Sequence, residues 1–538
     1  MTRFFGRSKP NIQRDLDGER PMMSASDTGT NRITLLAIDD VSIPFTHNLR
    51  LKMHRPKKHP GNPVLTRGGP GTADAFGVQF YGSIVQDEGI FKAWYVAIDP
   101  GYPEDPTSRK WFRPAYAESA DGVHWTKPDL GLVEYDGSRK NNLVLVENGP
   151  LHMINLKVLV EPDDPDPARR YKMIGQTWWS SSSQGQGRVG KFQERGWGTL
   201  VPLVSADGRH WRLAIDTEPV DGLLPRKDMV LPRHHFEAAG GLYKWDGMYY
   251  ASGQSGGGLG DWGYVHGVRS YSGREVVMHR SPDFVTWSKT SHVGFLRDSQ
   301  HASFTYGEGE EAHEGVSVWN RGNVLIGLYG IWHGGPEWAD ITIDLGLLVS
   351  NDGVRFREPE REWAFLERGA DSEWDQGGLL QGQGLANVGD ETRIYYGAWD
   401  PRRTSASSRG GIGLAALPRD RFGSLVMQKP EGDAELITSP VSLSGCSRVL
   451  INASGVSERA TLRVDLLDAS EQPLPGFSGM DAALGQQSGL DCPVVWQTQL
   501  PEHSQTVRIK IAFAGEDRAG IALHALYIED REESRPIP

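Results

Sequence analysis

Cysteine is nearly absent: only Cys446 and Cys492 stand in 538 residues. They form no paired spacing of the kind that holds zinc or runs dithiol chemistry, and whether the two join in a disulfide is left open. No apolar run approaches the 18 residues of a membrane-spanning helix. Basic clusters are missing too. Lys and Arg number 57 against 69 Asp and Glu, a net charge of −12, which argues against nucleic acid or an anionic membrane as partner. No stretch shows the 3.6-residue period of an amphipathic helix. Residues 1–31 lack the apolar core of an export signal and read as a disordered leader, so the expected location is the cytoplasm.

Turn formers and tryptophan are abundant. The chain has 65 Gly, 33 Pro and 17 Trp, a composition suited to many short strands joined by tight turns. One turn recurs. Ser119-Ala120-Asp121-Gly122-Val123-His124-Trp125 returns as Ser205-Ala206-Asp207-Gly208-Arg209-His210-Trp211, then as Ser281-Pro282-Asp283-Phe284-Val285-Thr286-Trp287 and Ser350-Asn351-Asp352-Gly353-Val354-Arg355-Phe356. The copies are 86, 76 and 69 residues apart. About 67 residues on, 417–422 takes the equivalent place. Where Gly follows the Asp it accepts a left-handed backbone, and the Asp accepts backbone N–H groups, while the aromatic tucks between sheets. Apolar runs precede every turn, such as 315–319, 323–330 and 343–350 in the fourth unit. Five such units predict an all-β, five-bladed β-propeller over 32–428, with 32–39 as the entering strand. A C-terminal β-sandwich follows over 429–538, with accessory role, strands near 448–452, 460–467, 506–513 and 521–528, and a Gly-rich loop over 474–491.

The sequence resembles the glycoside hydrolase superfamily of families 32, 43 and 68, and more closely proteins with a "glycosyl hydrolase family 32 N-terminal domain". The resemblance rests on SADGVHWTKPDLGL at 119–132, Asn141-Asn142, YKMIG at 171–175, WDGMYYASGQ at 245–254, WNRGNVLIGLYGIW at 319–332, SNDGVRFREP at 350–359 and ALYI at 525–528. It implies a carbohydrate substrate and a glycosidase working in the propeller channel, with furanosides such as fructosides or arabinosides among the expected substrates. The family 32 opening run Asn-Asp-Pro-Asn-Gly is absent, as is a Glu-Cys pair. Arg297-Asp298 is followed by Ser299 where Pro is expected, so Asp298 inherits no role.

Glycoside cleavage needs two carboxyl groups across the scissile bond. In a propeller the innermost strands line the channel, and their first residues face its mouth. Glu237, at the start of the third inner strand beside His234 and His235, is the expected acid. Glu314 starts the fourth inner strand after Glu310, Glu311 and His313. Asp74 precedes the first inner strand, where related propellers place a base or nucleophile. His235, His313, Trp332, Asp344 and Gln383 are expected to bind substrate. Trp178, Trp179 and Trp262 are candidate stacking platforms, and His152, Asn155, Asp340 and Gln381 candidate polar contacts. No cofactor and no metal ligands are expected, a structural Ca²⁺ in the channel staying open. Two alternatives remain: a glycoside phosphorylase drawing on Arg113, Arg233 or Arg269, and a non-catalytic carbohydrate-binding propeller. Oligomeric state has no signature in the sequence.

Overall fold

The computed structural model describes residues 32–101, 112–149, 153–180, 198–218, 224–225, 237–255, 264–265, 268–269, 274–297, 309–400, 410–444, 447–500 and 505–530. Among them strands dominate, and the helical turns are short 3₁₀ segments such as Pro167–Arg169 and Trp338–Asp340. No described helix is long and apolar enough to cross a membrane. The all-β expectation holds.

Five antiparallel sheets follow one another along the chain. The first holds Gly77–Asp87, Ile90–Ile98 and Phe112–Ser119. The second holds Ile154–Val160, Tyr171–Ser180, Gly198–Ser205 and His210–Leu213, with Leu145–Glu147 added in parallel. The third is Glu237–Trp245, Met248–Ser255, Glu275–Ser281 and Ser288–Phe295. The fourth is Glu310–Asn320, Leu325–His333, Thr342–Ser350 and Ala364–Leu366. The fifth is Gly378–Val388, Glu391–Trp399 and Gly411–Pro418, and its outer edge is completed from far upstream by Lys57–Lys58 and Leu65–Thr66.

The first strand of each sheet packs against the first strand of the next, and the fifth returns to the first. That closed circuit makes a propeller-like ring with the five inner strands around its axis. Each inner strand carries a register shift: between 79 and 83, 154 and 157, 237 and 241, 313 and 316, and 381 and 385. A bulge bends a strand and re-aims its side chains, and all five inner strands carry one. The strands come close there: a Cβ added at Gly240 would lie 2.5 Å from the backbone nitrogen of Val316.

The repeated turn ties neighbouring sheets together. Asp121, Asp207, Asp283 and Asp352 each accept the amides two and three residues ahead through Oδ1. The turn residue after the acid has φ of 74° at Gly122, 75° at Gly208, 66° at Phe284 and 75° at Gly353. In the three glycine copies its carbonyl then accepts from an aromatic of the preceding sheet: Tyr395 OH to Gly122 at 2.9 Å, Trp94 Nε1 to Gly208 at 2.7 Å, Tyr243 OH to Gly353 at 2.7 Å. The motif is thus both a turn and a latch, and the aromatics of one sheet fix the position of the next.

Two further sheets share a core. One contains Leu49–Met53, Gly423–Met427, Ala522–Asp530, Ser447–Ser454 and Gly489–Val494. The other contains Phe45–His47, Ala434–Ile437, Gln505–Ala514, Thr461–Leu467 and Ala483–Gly485. Val449, Ile451, Leu526 and Ile528 from the first meet Leu462, Val464, Ile509 and Ile511 from the second. The strand expected to enter the propeller, Arg32–Leu36, instead pairs residue by residue with the final strand, Arg32 opposite Glu529 and Leu36 opposite Ala525. Gly423–Met427 joins the same sheet. Segment 474–491, read as a loop, contributes Ala483–Gly485 and part of Gly489–Val494. A second core runs between ring and paired sheets, Leu328, Leu347 and Tyr396 packing with Leu36, Leu450 and Tyr527. Within it Asp420, buried and left-handed at φ 61°, accepts from Tyr527 OH at 2.9 Å and Asn387 Nδ2 at 3.2 Å and pairs with Arg321.

Candidate active site

At the bulges the inner strands present Tyr81, Asn155, Lys157, His313, Glu314, Gln381 and Gln383. Glu314 is a non-glycine residue held at φ 55°, followed by Gly315 at φ 74°. Such backbone persists only where its surroundings over-determine it, and it concentrates at functional sites. Here the restraint is visible. The amide of Glu314 donates to Gln254 Oε1 at 2.8 Å, and Asn155 Nδ2 donates to Glu314 Oε2 at 3.2 Å. The side chain is 23% exposed, open enough to meet a ligand while its amide is held from the third sheet and its carboxylate from the second.

Beside it lies His313, buried, with Nε2 3.7 Å from Glu314 Oε1. The Tyr81 hydroxyl stands 3.0 Å from His313 Nε2, and the Arg274 guanidinium is bonded to Nδ1. A guanidinium only donates. Nδ1 is therefore the acceptor, and the ring hydrogen sits on Nε2, facing Tyr81. Burial and the adjacent Arg274 charge push the imidazole well below its usual range, so it is neutral. Arg274 also pairs with Glu311 at 3.3 Å and lies 4.0 Å over the Trp332 ring. Trp332 in turn meets His313 at 4.7 Å between ring centres and stacks near Trp399 at 6.3 Å. Lys157, on the second inner strand, is wholly buried and donates to the Gly82 and Gln381 carbonyls of the first and fifth at 3.4 and 3.2 Å.

The expected residues part company. Glu314 and His313 stand together at the axis. Glu237 begins the third inner strand and its backbone is paired with Gln254, the residue that holds Glu314. The side chain of Glu237, and His234, His235, His152, Trp262, Arg233 and Asp298, lie outside the described residues, as does Cys446. Trp332, expected as an exposed platform, is 3% exposed and packed by Arg274 and His313. Trp178 and Trp179, expected in a loop, lie within Tyr171–Ser180. Gln383 is spent on the fold: it accepts the Leu242 amide at 2.8 Å and donates to the Leu242 carbonyl at 2.9 Å, stapling the third sheet to the fifth. Asp344 is buried against His333 Nε2 at 2.8 Å and the Arg368 amide at 2.7 Å. Burial alone would raise its carboxyl, but His333 and Arg368 hold it below the ordinary range. Asp340 accepts the Glu337 amide within a 3₁₀ turn.

Asp74 does not join the cluster. It is buried in the loop before the first sheet, where it accepts from Tyr95 OH at 2.9 Å, Thr72 Oγ1 at 3.0 Å and the Gly68 amide at 3.1 Å, and pairs with Lys127. The fifth sheet repeats the arrangement. Asp375 accepts from Tyr396 OH at 3.0 Å and pairs with Lys58 at 2.7 Å. Asn142 donates to Tyr95 OH and Asn62 to Tyr396 OH, at 2.7 and 3.0 Å. Two copies of one carboxylate–tyrosine–lysine–asparagine set are anchors for loops, and a unique reacting group would not be duplicated in this way.

Sequence reasoning missed Arg274, Tyr81, Gln254 and Lys157. Only Lys157 left a trace, a lysine inside the apolar strand INLKVLV. Among the described residues no group of three or more His, Cys, Asp or Glu is placed to hold a metal.

No protein-family model matches the chain, and no curated protein sequence matches it. Distant solved structures do. One comes from work on the GH130 family of mannoside phosphorylases, which contains glycoside hydrolases targeting β-1,2 mannosidic linkages in Candida mannan; it shares 15% identity at TM-score 0.43, covering 68% of this chain and 95% of that one. A glycosyl hydrolase from Bacteroides ovatus shares 14% at TM-score 0.43, covering 69% and 95%. An N-acetylgalactosamine deacetylase from F. plautii, in complex with blood group B trisaccharide, shares 15% at TM-score 0.43, covering 69% and 96%.

Proposed function

We propose that the protein is a carbohydrate-active enzyme that cleaves a glycosidic bond at the mouth of the ring, with Glu314 as base or nucleophile and Glu237 as acid. The observation that carries this reading is Glu314 itself: a half-open carboxylate on strained backbone, fixed by Asn155 and Gln254 on two neighbouring sheets. Preorganised groups of this kind are what a reacting centre requires. The start of the third inner strand, at Glu237, lies against the same Gln254, so two carboxyl-bearing positions sit on adjacent inner strands, as bond cleavage between sugars demands. Neutral His313 offers a hydrogen bond that does not compete for charge, and the quoted sequence motifs point to the same class of substrate. The paired C-terminal sheets, with the strands from 32–53, then serve an accessory role.

Product analysis on aryl furanosides and pyranosides, with and without phosphate, tests the reading. Glu314→Gln and Glu237→Gln should each lower turnover by about 10³-fold or more, the range for loss of a nucleophile or general acid. Sugar release that needs phosphate would select the phosphorylase, with Arg274, bonded to His313, as a candidate cation for it. Tight sugar binding with no product from any substrate would select the non-catalytic alternative.

A further inference from the structure

Four side chains knit the inner strands to one another at their bulges, and three of them spend their donors in doing so. Ser252 Oγ donates to the Val316 carbonyl at 2.6 Å and accepts the Val316 amide at 3.1 Å. Gln383 donates to the carbonyls of Leu242 and Val158 at 2.9 and 3.3 Å. Gln381 donates to those of His313 and Gly315 at 2.6 and 3.3 Å. Gln254 differs. It is 3% exposed, and its Oε1 accepts the Glu314 amide at 2.8 Å. A backbone N–H only donates, which fixes the oxygen toward Glu314 and the NH2 group on the other branch. That NH2 group has no hydrogen-bond partner among the described residues and is not sealed from solvent. A buried side chain that leaves both its amide hydrogens unspent calls for an explanation.

Its place in the fold supplies one. Gln254 lies on the second strand of the third sheet, Met248–Ser255, yet it reaches the bulge of the fourth inner strand. Gly240 and Gly241 leave the gap that allows this: a Cβ at Gly240 would lie 2.7 Å from the Cα of Gly315. In the strand register Gln254 is the partner of Glu237. It is therefore bonded to the backbone of one proposed carboxyl position and paired with the backbone of the other.

We propose that Gln254 is a substrate-binding residue, its NH2 group donating to a hydroxyl oxygen of the sugar unit held between positions 237 and 314. The proposal rests on the reading of the site given above. A ligand that spans the two positions passes over this amide. A neutral donor holds it there without adding a charge beside either carboxyl, and a hydroxyl that accepts from Gln254 keeps its own hydrogen to give to a carboxylate.

Two measurements test it. In the first, the aryl glycoside identified by product analysis is remade with each sugar hydroxyl replaced in turn by hydrogen. One analogue should lose about tenfold in kcat/KM with the wild type through this contact, the worth of one neutral hydrogen bond. Gln254→Met should turn over every analogue more slowly, because Glu314 loses its hold, but the preference for that one hydroxyl should vanish. Gln254→Glu keeps an oxygen for the Glu314 amide and removes the NH2 group; it should erase the same preference, and it serves alone if Gln254→Met does not fold. An unchanged set of hydroxyl preferences in a folded variant overturns the proposal. In the second, protein labelled with ¹⁵N-glutamine is titrated with D-fructose, L-arabinose and D-glucose. The side-chain NH2 signal of Gln254, assigned by its disappearance in Gln254→Glu, should move; a signal unmoved by all three sugars overturns the proposal. Cleavage that depends on Glu314 with preferences independent of Gln254 leaves the reading of the site and removes this contact. A fully active Glu314→Gln variant in which the Gln254 signal still moves does the reverse.

Discussion

Replacing Asp74 by Asn keeps the shape of the side chain and removes its charge. Four donors converge on that carboxylate, one from buried Tyr95 and one from Lys127. Removing one member of a buried ion pair costs about 3–5 kcal/mol. Lys127 is 24% exposed and keeps a bond to the Thr66 carbonyl at 2.7 Å, so the loss falls at or just below the low end of that range, about 2–3 kcal/mol. Asp375→Asn should cost the same to within about 1 kcal/mol, because its partner Lys58 is 27% exposed and Tyr396 is as buried as Tyr95. Urea unfolding followed by tryptophan fluorescence measures both. Per folded molecule, both variants should keep wild-type turnover. The reasoning fails if Asp74→Asn is folded but inactive while Asp375→Asn is active, since a duplicated anchor cannot lose function in only one of its copies.

Further outcomes follow from other sites. His524 is buried, donates from Nδ1 to the Gly423 carbonyl at 3.1 Å, and is pushed down to about 3 by burial and by Arg421. Its folded value lies below its unfolded one, so its contribution to stability is complete above about pH 6.5 and is lost as pH falls toward 3; His524→Asn should flatten the stability–pH curve in that window. Asp420→Asn strips the partner from Arg321 while Asn tolerates the left-handed backbone; a loss of about 3 kcal/mol in thermal or urea unfolding is expected, and a loss below 1 kcal/mol would show that the pair is not holding ring and paired sheets together. At position 314, Gly should give a protein about 1 kcal/mol more stable than Ala, because only Ala must strain to reach φ 55°; both should be inactive, and equal stabilities would remove the strain argument.

What the sequence disclosed was local. The turn is complete in itself: its acid, the amides that donate to it and its left-handed residue are consecutive, so three Ser-x-Asp-Gly copies and the Ser-Pro-Asp-Phe variant can be read by eye and their geometry anticipated. Glu314 was legible because it follows an acid cluster and a histidine ahead of the apolar run at 315–319, although the strand itself begins at Glu310 and Glu314 sits at its bulge. Asp74 looked equally promising from its place ahead of the first inner strand, and its true setting depends on Lys127, Tyr95 and Asn142, brought together by folding. Its counterpart depends on Lys58 and Asn62, which lie before the first sheet yet belong to the fifth. Arg274 carries no mark at all in its own neighbourhood; its meaning comes from His313 and Trp332. The entering strand at 32–36 was misassigned because alternation shows that a segment pairs and is silent on its partner.

The same long-range pairing bears on how the protein must be made. Arg32–Leu36 leaves the ribosome early but has its partner in Ala522–Asp530, and Lys57–Lys58 waits for Gly411–Pro418. During synthesis the two early segments carry unpaired strand edges until 522–530 and 411–418, respectively, have emerged, and contacts of such sequence separation are slow to close. Nascent chains stalled before residue 522 should therefore engage holdase chaperones, and a protease added at that stage should cut first near the amino-terminal strands, the part that in the finished molecule is covered from both sides.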